Sequence, residues 1–202
     1  MPNALIEWGV AIVPLPGQEI SGDMHIVKLI PEGALIAVVD GLGHGYGAAA
    51  ASEIAIATLD AYAREPIISL IRRCHEALRG TRGVVMSIAS LSLHDRTMVW
   101  LGVGNVEGVL LRADEKETRQ REDLLLRGGV LGYHLPPLRA STVPLMQGDT
   151  LVFATDGIRS GFYRRLDLSE QPQKAADNIM VRCFKGTDDA LVLVVRFTGP
   201  GQ

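Results

Sequence analysis

The run Ala34–Val39 (Ala-Leu-Ile-Ala-Val-Val) constrains the fold more than any other stretch of this chain. It lies between the turn Pro31-Glu32-Gly33 and the pair Asp40-Gly41, is too short for an ordinary helix, and has no polar residue to turn towards water. The pattern predicts a strand buried on both faces, which requires covering layers on either side. The strand ends on a carboxylate, Asp40.

Other period-two segments flank it. Met1–Val13 has apolar and polar residues in near alternation, Met24–Ile30 is a short run rich in Val and Ile, and both are expected to start an antiparallel sheet together with Ala34–Val39. Gly45–Glu65 is rich in alanine, with Ala49, Glu53, Ile56, Leu59 and Ala63 at helical spacing. Pro66 opens a second helix with Ile67, Leu70, Ile71, Cys74 and Leu78 on one face, ending near Gly80. Gly83–Arg112 returns to period two around the turn His94-Asp95-Arg96 and predicts a meander. Asp114–Asp123 is strongly charged and reads as a solvated turn and hairpin rim. Strand patterns recur at Thr142, over Thr150–Ala154 and over Leu191–Phe197, with a polar, helical segment expected from Asp156-Gly157 to Phe184. This order, strands with two inserted helices and one late helical segment, is an α+β layout whose helices can cover both faces of a β core.

Composition narrows the function classes. At 202 residues and 47% hydrophobic, residues 1–202 read as one globular domain. Twenty basic against 23 acidic residues provide no surplus of positive charge for a nucleic-acid backbone. The longest apolar runs are far below the roughly 20 residues of a membrane helix. Met1–Val13 lacks a basic start followed by an apolar stretch and a cleavage site, so a cytoplasmic protein is expected. Cys74 and Cys183 are far apart and outside any C-x-x-C spacing, which reads as two small apolar side chains in a reducing compartment.

The chemistry-bearing residues are aspartates at the ends of strand patterns: Asp23 after Ser21-Gly22, Asp40 after Val38-Val39, Asp156 after Ala154-Thr155, and Asp188 before the last strand. A glycine adjoins three of them, leaving room for a metal, a water or a phosphate to approach the backbone. Hard cations such as Mg²⁺ or Mn²⁺ take oxygen ligands of this kind. Two such ions about 3.5–4 Å apart can drive an in-line phosphoryl transfer. Aspartate is also a frequent turn former, so spacing alone leaves both readings open.

Taken together, Ser21-Gly22-Asp23, Val38-Val39-Asp40-Gly41-Leu42-Gly43-His44-Gly45, Gly102-Val103-Gly104-Asn105, Thr155-Asp156-Gly157-Ile158 and Asp188-Asp189-Ala190 resemble, in order, the PPM metal-dependent serine/threonine phosphatases of the protein phosphatase 2C type. The resemblance runs from about Ser21 to Val195 and is nearest to the bacterial group that contains SpoIIE and RsbX. It implies a four-layer αββα sandwich, two antiparallel sheets flanked by helices. It implies two divalent ions, Mn²⁺ or Mg²⁺, with Asp40 bridging both, the Gly41 carbonyl on one, and Asp156 and Asp188 on the other. Asp23 matches an acidic residue near the metal-bound waters, either a direct metal ligand or a group acting through those waters, and Asp189 matches a residue supporting the loop. The implied substrates are phosphoserine or phosphothreonine on partner proteins, in the nearest group STAS-domain proteins of the stressosome, in a stress-response setting.

The chain also departs from the family pattern. Gly22 stands where many eukaryotic members have a second acid, Leu42 where they carry a histidine proposed as general acid, and Ala190 where a threonine is common. His44, two residues beyond Leu42, is the candidate proton donor, with a loop histidine as the alternative. These departures keep a second reading open, a non-catalytic binding module of the same fold. Nucleotide binding by Gly41–Gly47 lacks the G-x-x-x-x-G-K-[ST] pattern, and no G-x-S-x-G elbow occurs. Trp8, Trp100, Phe153 and Phe197 fall in strand patterns and are expected in the core. Phe162 and Tyr163 read either as a substrate flap or as core, and Arg159, Arg164 and Arg165 either as a solvated face or as a phosphate-steering cluster.

Overall fold

A computed structural model describes residues 5–31, 33–114 and 120–199. Strands β1 (Ile6–Val13), β2 (Asp23–Ile30) and β3 (Gly33–Gly41) are followed by helices α1 (Tyr46–Ala61) and α2 (Ile67–Ala77). Strands β4 (Val84–Ser92), β5 (Thr97–Val103), β6 (Glu107–Leu111), β7 (Arg121–Asp123), β8 (Leu126–Arg127), β9 (Ser141–Pro144) and β10 (Thr150–Ala154) come next. Helix α3 (Pro172–Cys183) and strand β11 (Ala190–Phe197) complete the order. One sheet runs β1-β11-β10-β6-β7 and the other β2-β3-β4-β5-β8, with β9 also on β5. All pairings are antiparallel except the short β5–β8 ladder.

The alternation of side chains along the strands builds four layers. In β3, Ala34, Ile36 and Val38 enter the core between the sheets, while Leu35, Ala37 and Val39 meet Ala55, Leu59, Leu70 and Ile71 of α1 and α2. β11 does the same on the other side: Leu191, Leu193 and Val195 face the inter-sheet core, and Ala190, Val192 and Val194 meet Ala176 and Ile179 of α3. These strands read as continuous apolar runs because neither face meets water. The alanines of α1 (Ala48, Ala51, Ala55) let its backbone lie close on β2 and β3. The fold is therefore the αββα sandwich implied by the resemblance.

Several elements differ from the sequence expectation. The first strand does not join β2 and β3; it pairs with β11 along its whole length, from Ile6 opposite Phe197 to Val13 opposite Ala190. The turn-rich segment after Val13, with Pro14 and Pro16, carries the chain to the opposite sheet. Residues 1–4 of the expected Met1–Val13 strand lie outside the described residues. Trp8 is 46% exposed and packs against the His25 ring at the open side of the sandwich, because β1 and β2 are both edge strands there. Trp100, Phe153 and Phe197 are core, as expected.

The segment from Gly157 to Phe184 is not helical throughout. Gly161 at φ 79° heads a short 3₁₀ turn over Phe162–Arg165, and only from Pro172, at the helix's first turn, does α3 begin. Phe162 is buried under α3, so it is core rather than flap. Cys74 is fully buried, and Cys183 is half-buried at the end of α3. The charged Asp114–Asp123 stretch is not wholly solvated. Residues 115–119 lie outside the described residues, but Arg121–Asp123 pairs with β6, and Glu122 hydrogen-bonds the buried Arg112, whose Nη1 also donates to Asp149 at 2.7 Å.

Candidate active site

Strand pairing brings the aspartates together. Asp23 opens β2 directly opposite Asp40 near the end of β3. On the other sheet, Ala154 at the end of β10 pairs with Val192 of β11, so Asp156 just past one strand and Asp188 just before the other fall at the same end of the sandwich. Two carboxylates come from each sheet. β2 and β11 pack against one another across the core, which closes the two pairs into one group.

A cavity of about 460 Å³ opens there, lined by Asp40, Asp156, Asp188, Leu42, Gly43 and Asn105 with residues of β4 and the β8–β9 connection. Asn105, on the turn from β5 to β6, donates from Nδ2 to Asp156 Oδ2 at 2.8 Å. Asp23 lies behind this wall, 4% exposed, and accepts a 2.7 Å hydrogen bond from Thr155 Oγ1. The Thr155 hydroxyl oxygen in turn accepts from the Leu191 amide at 2.8 Å, so one threonine ties Asp23, on the sheet that contains β2 and β3, to β11 on the other.

Asp189 does not face the cavity. Its two carboxylate oxygens accept from the amides of Leu15 (2.6 Å) and Gly22 (2.7 Å), holding the β1–β2 connection against the start of β11. Asp188 Oδ1 accepts from the Asp189 amide at 2.9 Å. Gly22 is buried, and a Cβ there would meet Ala48 Cβ at 2.7 Å and Asp189 Oδ2 at 3.2 Å, so the packing of α1 leaves no room for an acidic side chain. A Cβ on Gly41 would fall 2.3 Å from the Ala48 carbonyl oxygen, which is why α1 can start so near the cavity.

The electrostatics follow from this crowding. Burial first, and then the charges of Asp23, Asp156, Asp188 and Asp189, push Asp40 up to about 8. Burial pushes Asp23 up to about 7, with the Thr155 hydrogen bond opposing and the charges of Asp189, Asp156 and Asp188 adding. Asp156 is also raised, by burial and by Asp188, while Lys185 and Asn105 oppose. A group of carboxylates that cannot all ionise without help fits a divalent cation, and the donor set, all oxygen, fits a hard one. Among the described residues no three acidic, histidine or cysteine side chains close into a preformed cage.

The other sequence candidates lie elsewhere. His44 is exposed on the loop before α1 and is not part of the cavity wall; its carbonyl accepts from Arg82 at 3.3 Å. Arg159, Arg164 and Arg165 are exposed and also off the cavity wall. Thr155 and Asn105 act on the aspartates, yet as single residues nothing marks them in the sequence except their places beside Asp156 and at the end of Gly102-Val103-Gly104.

Two antiparallel-based sheets between helical layers, with acids from both sheets meeting at one end, define the PP2C-type (PPM) phosphatase fold. A family model described as Stage II sporulation protein E (SpoIIE) matches residues 31–198, and the chain belongs to that family. It is 34% identical over 94 residues to phosphoserine phosphatase RsbX of Bacillus subtilis (strain 168), across 46% of this chain and 47% of that protein. The match thus spans about half the length of that curated relative. In solved structures, a chain from work on the bacterial stressosome as a modular system adapted to control secondary messenger signalling superposes with a TM-score of 0.86 at 28% identity, covering 95% of this chain and 99% of that one. RsbX in complex with magnesium superposes at 0.85 with 24% identity and 97% coverage of both chains, a likeness of fold.

Proposed function

We propose that this chain is a divalent-metal-dependent phosphoprotein phosphatase that hydrolyses phosphoserine or phosphothreonine on partner proteins. The observation that carries the reading is the convergence of Asp40, Asp156 and Asp188 on one cavity, backed by Asp23 and poised by burial and by mutual repulsion to accept cations. Asp40, with the Gly41 carbonyl, and Asp156 with Asp188 would hold two ions, Mg²⁺ or Mn²⁺. Bound there, the ions supply activation of water and neutralisation of the phosphoryl charge. Asp23, fixed by Thr155, orients water or ion from behind the wall, and Asn105 fixes the rotamer of Asp156. The kinship with RsbX and the likeness to a stressosome-derived chain support STAS-domain stressosome proteins as substrates, in the cytoplasm.

The test is phosphate release from p-nitrophenyl phosphate and a phosphoserine peptide with Mn²⁺, with Mg²⁺ and with chelator. Metal-dependent turnover that disappears in Asp40→Asn is expected. The buried Gly22, which leaves no room for a further acid, favours one rival, a binding module with weak ion affinity. No turnover with either metal on peptide or on phosphorylated STAS-domain protein, combined with retained binding of that protein, would replace the first reading by the second.

A further inference from the structure

One basic side chain lies against the loop that forms the cavity's lip. Arg82, on the connection from α2 to β4, is exposed, and its Nη1 donates to the His44 carbonyl at 3.3 Å. A Cβ on Gly43 would stand 3.1 Å from that same nitrogen, and a Cβ on Gly47 would stand 2.6 Å from Arg82 Nε and 2.8 Å from Cζ. Gly47 lies in the first turn of α1 and has no positive φ. A glycine inside a helix costs about 1 kcal/mol relative to alanine, and here the missing methyl is the space that the guanidinium fills. The helix start is thus shaped as a seat for Arg82.

Among the described residues this guanidinium has no carboxylate within ion-pair distance, although the cavity beside it is lined by three aspartates. It rests instead on the backbone carbonyl of His44, against Gly43, and of these residues Gly43 is cavity wall. A phosphoryl dianion entering an acidic cavity is repelled by its walls, and a guanidinium fork at the lip is the group best matched to phosphate oxygens. The geometry points to Arg82 as the residue that binds the phosphoryl oxygens of the substrate at the mouth of the cavity, held in position by the glycine floor of Gly43 and Gly47. This rests on the phosphatase reading above.

Arg82→Ala, Arg82→Lys and Gly47→Ala test it. The last keeps the arginine but puts a methyl where its guanidinium lies, and a flexible side-chain end can shift without unfolding the helix. Steady-state hydrolysis of p-nitrophenyl phosphate and of a phosphoserine peptide is measured with saturating Mn²⁺, and binding of inorganic phosphate to the Mn²⁺-loaded protein is measured by calorimetry. For Arg82→Ala the expected result is a rise of about tenfold or more in KM for both substrates and in the Kd of phosphate, with kcat falling less. Lysine restores part of this, and Gly47→Ala shows the same rise in KM with an unchanged or higher Tm. Unchanged KM for p-nitrophenyl phosphate and unchanged phosphate Kd in Arg82→Ala overturn the assignment. A defect confined to the peptide also overturns it, since Arg82 would then read the partner's surface. If the unmutated protein hydrolyses nothing, the phosphatase reading fails, and the phosphate titration alone still decides: binding lost in Arg82→Ala upholds the site, and binding unchanged or absent from the start removes it.

Discussion

Asp40 shows how a single side chain can oppose the stability of its own fold. Its carboxyl titrates near 3.8 in the unfolded chain and near 8 in the metal-free fold, so between those limits the folded state holds a proton that the unfolded state has released. Metal-free protein therefore loses stability as pH rises from about 4 to 8 and levels off above. Asp40→Asn is expected to flatten that slope and raise the metal-free Tm at pH 8, while cutting metal-dependent turnover more than about a hundredfold. Thermal melts in chelator at several pH values, beside the phosphatase assay, check both halves. Thr155→Val removes the hydroxyl that lowers the Asp23 pKa; the Mn²⁺ concentration for half-maximal activity at pH 7 should rise about tenfold and recover towards pH 9. His44→Ala, on an exposed side chain, should leave kcat within about twofold and the pH profile in place, as expected of surface changes; loss of the alkaline limb would restore it as proton donor. At this scale the aspartates were legible because carboxylates stand where apolar strands stop. Arg82 was not, because what marks it is the space left by two glycines nearly forty residues away.

Among the elements, the legible ones are those whose side chains meet an apolar layer on each face. β3 and β11 announce themselves as apolar runs, β4 by the period-two pattern of Gly83–Arg112, and α2 by the single stripe of Ile67, Leu70, Ile71 and Cys74. β1 was legible as a strand but not in its partner, since alternation fixes which face a residue takes and says nothing of which sheet the strand joins. For the same reason Trp8 read as core: period two places it on the inward face, but an edge strand at an open side leaves the inward face partly wet. The 3₁₀ turn before α3 was hidden because polar residues, unlike apolar stripes, carry no period. Leu70→Ala, fully buried between α2 and the sheet, is expected to cost about 2–5 kcal/mol by chemical denaturation, and Trp8→Ser, half in water, far less.

At the scale of the whole molecule, two ties bind one sheet to the other from opposite ends. At one end Arg112 of the first sheet's periphery donates to Asp149 and to the Pro144 carbonyl of β9, and its guanidinium is almost fully buried. Removing it strands Asp149 without its cation, so Arg112→Ala should cost about 3–5 kcal/mol. Arg112→Met paired with Asp149→Asn should cost less than the single change, which a double-mutant cycle reads directly.

At the other end the tie is the Thr155 hydroxyl, which joins Asp23 to β11 within the acidic group. Asp23 and Asp40 belong to one sheet, Asp156 and Asp188 to the other, and like charge drives the two halves apart wherever these groups are ionised. An ion seated among them would act as a rivet through the sandwich. Withdrawal of that rivet would then be felt as slack across the whole seam between the halves, with amide exchange quickening in β2 and β11 alike, and the catalyst and the fastener would be the same atoms.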